Sequence, residues 1–133
     1  MRITEVTGTG CVAETMRSQI GAPRNYSLSI RQMESTLKVT LTSVSGDRAC
    51  TFAPITDGSG FTTFEKGGYY TCAEWYMPFR CQDETLHSIF TIGENISGHL
   101  SGDRITGAWH ASWFDGWDDY TGVEMKAEFT GSR

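Results

Sequence analysis

The chain has 133 residues, 38% of them hydrophobic and 20% charged, with a formal net charge of -5 and a pI near 5.1. That length holds one domain, residues 1–133, with a core of its own. Its scattered lysines and arginines exclude a nucleic-acid footprint, which needs basic residues clustered on one face, and no apolar stretch reaches the length that crosses a bilayer.

The first strand is expected at about residues 3–13, with a bend at Gly8-Thr9-Gly10. Residues 16–25, with Gly21 and Pro23, read as a connection, and residues 13–20 are the only stretch suited to a turn or two of helix. Three strands follow at residues 26–33, 37–44 and 48–54. The first two pair with Ile30 on Val39 and Leu28 on Leu41. Between the second and third lies Ser45-Gly46-Asp47-Arg48, the signal of a two-residue hairpin. That hairpin sets Leu41 against Phe52, Ser43 against Cys50 and Val39 against Pro54.

After the turn cluster of residues 56–60 come a short strand at 61–65, a break at Gly67-Gly68 and an aromatic-rich strand at 69–77. A loop at 78–84, a strand at 86–92 and a turn at Gly93-Glu94-Asn95 lead to a second Ser-Gly-Asp-Arg, residues 101–104. Its hairpin register places Leu100 on Ile105, Gly98 on Gly107 and Ile96 on Trp109, so every apolar residue meets an apolar residue or a glycine. His99 with Thr106 falls on the outer face, because successive side chains point to opposite sides. The strand at 105–113 is the longest periodic one, and 123–129 alternates Val123, Met125, Ala127 and Phe129 with polar residues. Short strands punctuated by turns indicate an all-β domain. Short sequential connections favour an antiparallel up-and-down closed β-barrel of about eight strands over the alternative β-sandwich.

Cys11, Cys50, Cys72 and Cys81 form an even set, which in a small glycine-rich β protein indicates two disulfides and a secreted or periplasmic location. The first residues lack the apolar centre of a secretory signal, as expected of a mature chain. A reversal at Pro78 would join Cys72 to Cys81 and leave Cys11 for Cys50. With three histidines and no Cys-x-x-Cys pair, no metal site and no cofactor are expected.

Three fragments carry a resemblance to the calycin group, the small up-and-down barrels that include lipocalins and avidins. These are Val6-Thr7-Gly8-Thr9-Gly10 at the opening, the turn from Ala53 to Gly60, which is similar to one in streptavidin, and the tryptophan pair Trp109 and Trp113. The resemblance implies a closed barrel with a lumen for a small ligand and a last strand that pairs with the first. It does not carry biotin binding. Gly10 stands where the group has its opening tryptophan, and Cys11, Val12 and Ala13 replace the polar residues that would hold a ureido group.

Alternation from Ile105 turns Gly107, Trp109, Ala111 and Trp113 inward, either as core filling or as one wall of a ligand site. In the second case Trp109 and Trp113, supported by Tyr26, Leu28, Phe90 and Phe129, hold a flat apolar or aromatic molecule without chemistry. Residues 114–120 would form a loop at one mouth, with Trp117, Tyr120 and the acids Asp115, Asp118 and Asp119 exposed. Glu74 is the acid whose strand neighbours are apolar enough to raise its pKa if it points inward, and parity leaves open whether it or Trp75 does so. One rival reading is therefore an enzyme with Glu74 as general acid or base for cyclisation or isomerisation of an apolar substrate. Another is a protein-binding module or inhibitor acting through Trp117 and Tyr120. The three histidines do not converge, and His87 is expected to be exposed.

Overall fold

In the computed structural model the described residues are 1–33, 36–43, 49–53, 55–56, 58–63, 69–72, 76–116 and 122–132, with backbone alone described at 33, 36, 43, 49–53, 55–56, 69–72 and 76–77. The elements are β1 (Arg2–Gly8), α1 (Gly10–Arg17), β2 (Tyr26–Met33), β3 (Thr36–Ser43), β4 (Ala49–Ala53), β5 (Ile55–Thr56), β6 (Gly60–Thr62), β7 (Tyr69–Cys72), β8 (Tyr76–Arg80), β9 (Leu86–Ser101), β10 (Arg104–Asp115) and β11 (Gly122–Ser132). Among the described residues the protein is all-β but for one short helix, and their strand pairs are all antiparallel and form two sheets, one ordered β1-β11-β10-β9-β6-β5 with β8 also on β9, the other β2-β3-β4-β7. Neither sheet closes on itself among the described residues.

The second hairpin has the register expected from sequence. Leu100 pairs with Ile105, Gly98 with Gly107 and Ile96 with Trp109. The facing glycines are covered by two aromatic rings: a Cβ on Gly98 would collide with Phe61, and one on Gly107 with Phe129 and the Ser97 carbonyl. Where β6 ends, Thr63 takes over its pairing, its Oγ1 accepting from Ile96 N–H at 2.8 Å. β2 and β3 pair as expected, with Ile30 on Val39 and Leu28 on Leu41. β1 lies against β11, as a chain whose last strand returns to its first requires. The expected alternation of β11 also holds, with Val123, Met125, Ala127 and Phe129 buried.

Five expectations are corrected. The first strand stops at Gly8, not near residue 13, because Gly8 and Gly10 take φ values of 115° and 83°; the chain then enters α1, which buries Val12, Ala13, Thr15 and Met16. β3 and β4 pair two residues out of the expected register, with Val39 on Phe52 and Leu41 on Cys50. An even shift keeps each residue on its face, and it gives Val39 a partner with an N–H, Phe52, in place of the expected proline. Pro78 does not reverse the chain. It sits in β8 opposite Ser88, on a strand paired along one side only among the described residues, where a missing N–H costs least.

Gly93-Glu94-Asn95 is likewise no turn, since β9 runs unbroken for 16 residues. It carries an irregularity instead. Ser112 pairs with Gly93 but Trp113 with Thr91, which leaves Ile92 as an extra residue, 57% exposed. One extra residue inverts the facing of everything beyond it. Ile96 and Glu94 therefore point inward on one side of the bulge, and Ile89 on the other.

The disulfide is the fifth correction. Cys11 bonds to Cys81, with Cα atoms 5.8 Å apart, which excludes both Cys72–Cys81 and Cys11–Cys50. The bond ties α1 to the turn after β8, and Gln82 N–H also donates to Thr15 Oγ1 at 3.0 Å. The two remaining cysteines, Cys50 and Cys72, are Cα partners across β4 and β7.

Two outcomes follow from this packing. Gly107→Ala should lower the unfolding free energy by about 2 kcal/mol in urea titration, the usual cost of forcing a methyl into a filled core; an unchanged midpoint contradicts the glycine-pair account. Peptide mapping without reduction should recover Cys11 linked to Cys81 and Cys50 to Cys72. Opening the first bond, which closes a 70-residue separation, should cost about 4 kcal/mol on the chain-entropy model.

Candidate functional site

The two sheets face one another across a core in which Val39 and Leu41 of β3 belong to the same cluster as Trp109, Trp113 and Phe129. Tyr26 of β2 meets Trp109 of β10 edge to face, the ring centres 6.2 Å apart. Toward the β9–β10 turn the sheets part. A cleft of about 590 Å³ lies between them. Its floor is buried Leu41, Ile105 and Phe129, and its walls are half-buried Tyr26, Leu28, Ile30, Leu37 and Leu100. Exposed Gln32, Asp103, Thr130 and Ser132 form the rim.

The cleft follows from strand parity. Tyr26, Leu28 and Ile30 stand at alternate positions of β2, as do Leu37 and Leu41 on β3, so each strand turns an apolar row toward the other sheet. Opposite them, Leu100 and Ile105 are direct partners beside the turn.

Of the eight residues expected to contact a ligand, Tyr26, Leu28 and Phe129 line this cleft. Trp109 and Trp113 face inward as expected but are only 3% and 2% exposed and lie behind the lining. Trp109 shapes the site through Tyr26. Phe90 is not part of the same wall, because the bulge turns it outward to stack on Phe114 at 4.9 Å. Trp117, Tyr120 and the candidate acid Glu74 lie outside the described residues.

A buried acid is present on β9, though it is not Glu74. Glu94 has no exposed surface, and its Oε2 accepts from Trp109 Nε1–H at 3.2 Å. The reading of Gly93-Glu94-Asn95 as a turn hid it, although Glu94 shares the alternation of Ile96 and Gly98.

Donor atoms close enough to share an ion are found at the far end of β10, about 30 Å along the strand from the cleft. There Cys11, Cys81 and His87 place one ligand atom each within 4.8 Å of the others. His87 is not exposed as expected. Its side chain is 13% accessible, and Nδ1 donates to Asp115 Oδ2 at 2.5 Å. Asp115, expected in an exposed loop, is 1% exposed at the end of β10, the next inward position after Trp113. Beside them the 81–85 turn is held by Asp83 Oδ1, which accepts from Thr85 Oγ1–H at 2.5 Å and Thr85 N–H at 3.0 Å. These bonds, the hydroxyl first, hold the Asp83 carboxyl below its ordinary value of 3.8. The turn is thus favoured above that value, and the benefit is lost as pH falls through the lowered one.

Compared with sequence families, curated proteins and solved structures, the chain finds no match in any of the three. No helix among the described residues is long and apolar enough to cross a membrane.

Proposed function

We propose that the protein binds a small, mainly apolar or aromatic molecule, without chemistry, in the cleft between its two sheets. The observation that carries this reading is the cleft itself: about 590 Å³ with an apolar floor and a polar rim, within the size range and chemical make-up of small-molecule sites. Tyr26, Leu28 and Phe129 are the principal contacts, with Leu41 and Ile105 beneath the ligand. Trp109 acts from behind by fixing the Tyr26 ring. A flat apolar ligand suits this lining, because Tyr26 and Phe129 offer ring faces or edges and no lining side chain among the described residues carries a positive charge.

A calycin-like barrel would hold its ligand in the same relation to its strands, in a lumen between the first and last thirds of the chain. We extend the proposal to that architecture, with the described sheets as the two halves of the wall. The disulfide favours a secreted or periplasmic carrier, since such bonds persist in oxidising compartments.

An environment-sensitive apolar dye, 1-anilinonaphthalene-8-sulfonate, tests the site. The folded protein should bind it with saturable fluorescence enhancement, and Leu28→Trp, which fills the cleft from one wall, should weaken binding by about tenfold or more. Trp113→Phe should leave dye affinity within about twofold while lowering the melting temperature by a few degrees. Equal binding by Leu28→Trp and the parent protein contradicts the proposal, as does stronger loss in Trp113→Phe.

A further inference from the structure

The end of β10 opposite the cleft carries a second arrangement that the binding reading does not use. His87 Nε2 lies 3.0 Å from Cys11 Sγ, and Cys81 Sγ lies within 4.8 Å of both. The other ring nitrogen is taken by the carboxyl of Asp115, which is almost wholly buried. A disulfide that only staples a helix to a turn needs neither group. A buried carboxyl disfavours folding unless partners offset it, and His87 is one such partner here.

With Nδ1 held by Asp115, the ring turns Nε2 toward the sulfurs. That is the orientation of a histidine ligand whose second nitrogen is held by a carboxylate. We propose that, once the Cys11–Cys81 bond is reduced, Cys11, Cys81 and His87 form a zinc site, with Asp115 as the residue that orients His87. Two thiolates and an imidazole match the preference of zinc for sulfur and nitrogen donors. Three protein ligands leave a fourth position open to water or an anion.

The conversion balances with a dithiol as reductant. Its two sulfurs become a disulfide as the Cys11–Cys81 bond takes up two electrons and two protons, and zinc then displaces the two thiol protons. The sulfurs must move apart to about 3.8 Å, the edge of a tetrahedron with Zn–S bonds of about 2.3 Å, and the Cα atoms already stand 5.8 Å apart. The same residues thus have two states: a covalent staple under oxidising conditions, and a metal centre where a dithiol is present.

Cobalt is the probe. Reduced, anaerobic protein titrated with Co²⁺ should develop thiolate-to-cobalt absorption and the visible bands of a tetrahedral centre at one equivalent, and oxidised protein should show neither. His87→Ala and Asp115→Asn should each weaken cobalt binding by about tenfold to a hundredfold, whereas Cys50→Ala/Cys72→Ala should retain it. In a parallel melt of reduced protein, zinc should raise the midpoint of the parent chain and not of His87→Ala. Absence of the bands overturns the proposal, as does reduced protein that neither binds cobalt nor gains stability from zinc. Bands unchanged in His87→Ala, or lost with Cys50→Ala/Cys72→Ala while Cys81→Ala keeps them, overturn it equally.

Discussion

The inward face of β10 is the constraint on which the other features of this protein rest. Ile105, Trp109, Ala111, Trp113 and Asp115 occupy alternate positions and are all buried. β10 is flanked by β9 on one side and β11 on the other, so its facing is set twice, and a slip of one residue would expose two indoles to water. The glycine pair Gly98 and Gly107 completes the arrangement. Lacking side chains, these two positions let Phe61 and Phe129 lie against the sheet, and Phe129 thereby reaches the floor of the cleft.

That face also accounts for the placement of both polar features. Two buried acids, Glu94 and Asp115, each receive a hydrogen bond from a ring N–H, that of Trp109 and that of His87. Buried carboxyls without such partners would disfavour folding, so each acid fixes the ring that serves it. One fixed ring stands behind the cleft and the other points at the disulfide. The strand therefore carries an apolar site at its turn end and a sulfur–imidazole cluster at its far end.

Much of the fold was legible because alternation and tight turns are local. The register from Leu100 and Ile105 to Ile96 and Trp109 follows from one Gly-Asp turn, and that of β2 with β3 from apolar matching. The first Ser-Gly-Asp-Arg was less informative, because the absence of an N–H on Pro54 favours a pairing displaced by two. The bulge at Ile92 was not legible: nothing local distinguishes one extra residue in a long strand, yet it inverts His87, Ile89 and Phe90 together. Three of the cleft residues, Tyr26, Leu28 and Phe129, could be read from parity, while its boundary could not. Where two sheets part depends on their separation, which no single strand encodes. The cysteine pairing failed for the same reason, since Cys11 meets Cys81 only because a helix, not a strand, follows Gly10.

The burial of Trp109 and Trp113 is the most direct check on this account. A Trp75→Phe/Trp117→Phe variant retains only these two indoles, so its fluorescence reports on them alone. The account predicts emission well to the blue of free indole and acrylamide quenching far weaker than in the unfolded chain. Emission like that of indole in water, quenched as readily in the native protein as in denaturant, would contradict it.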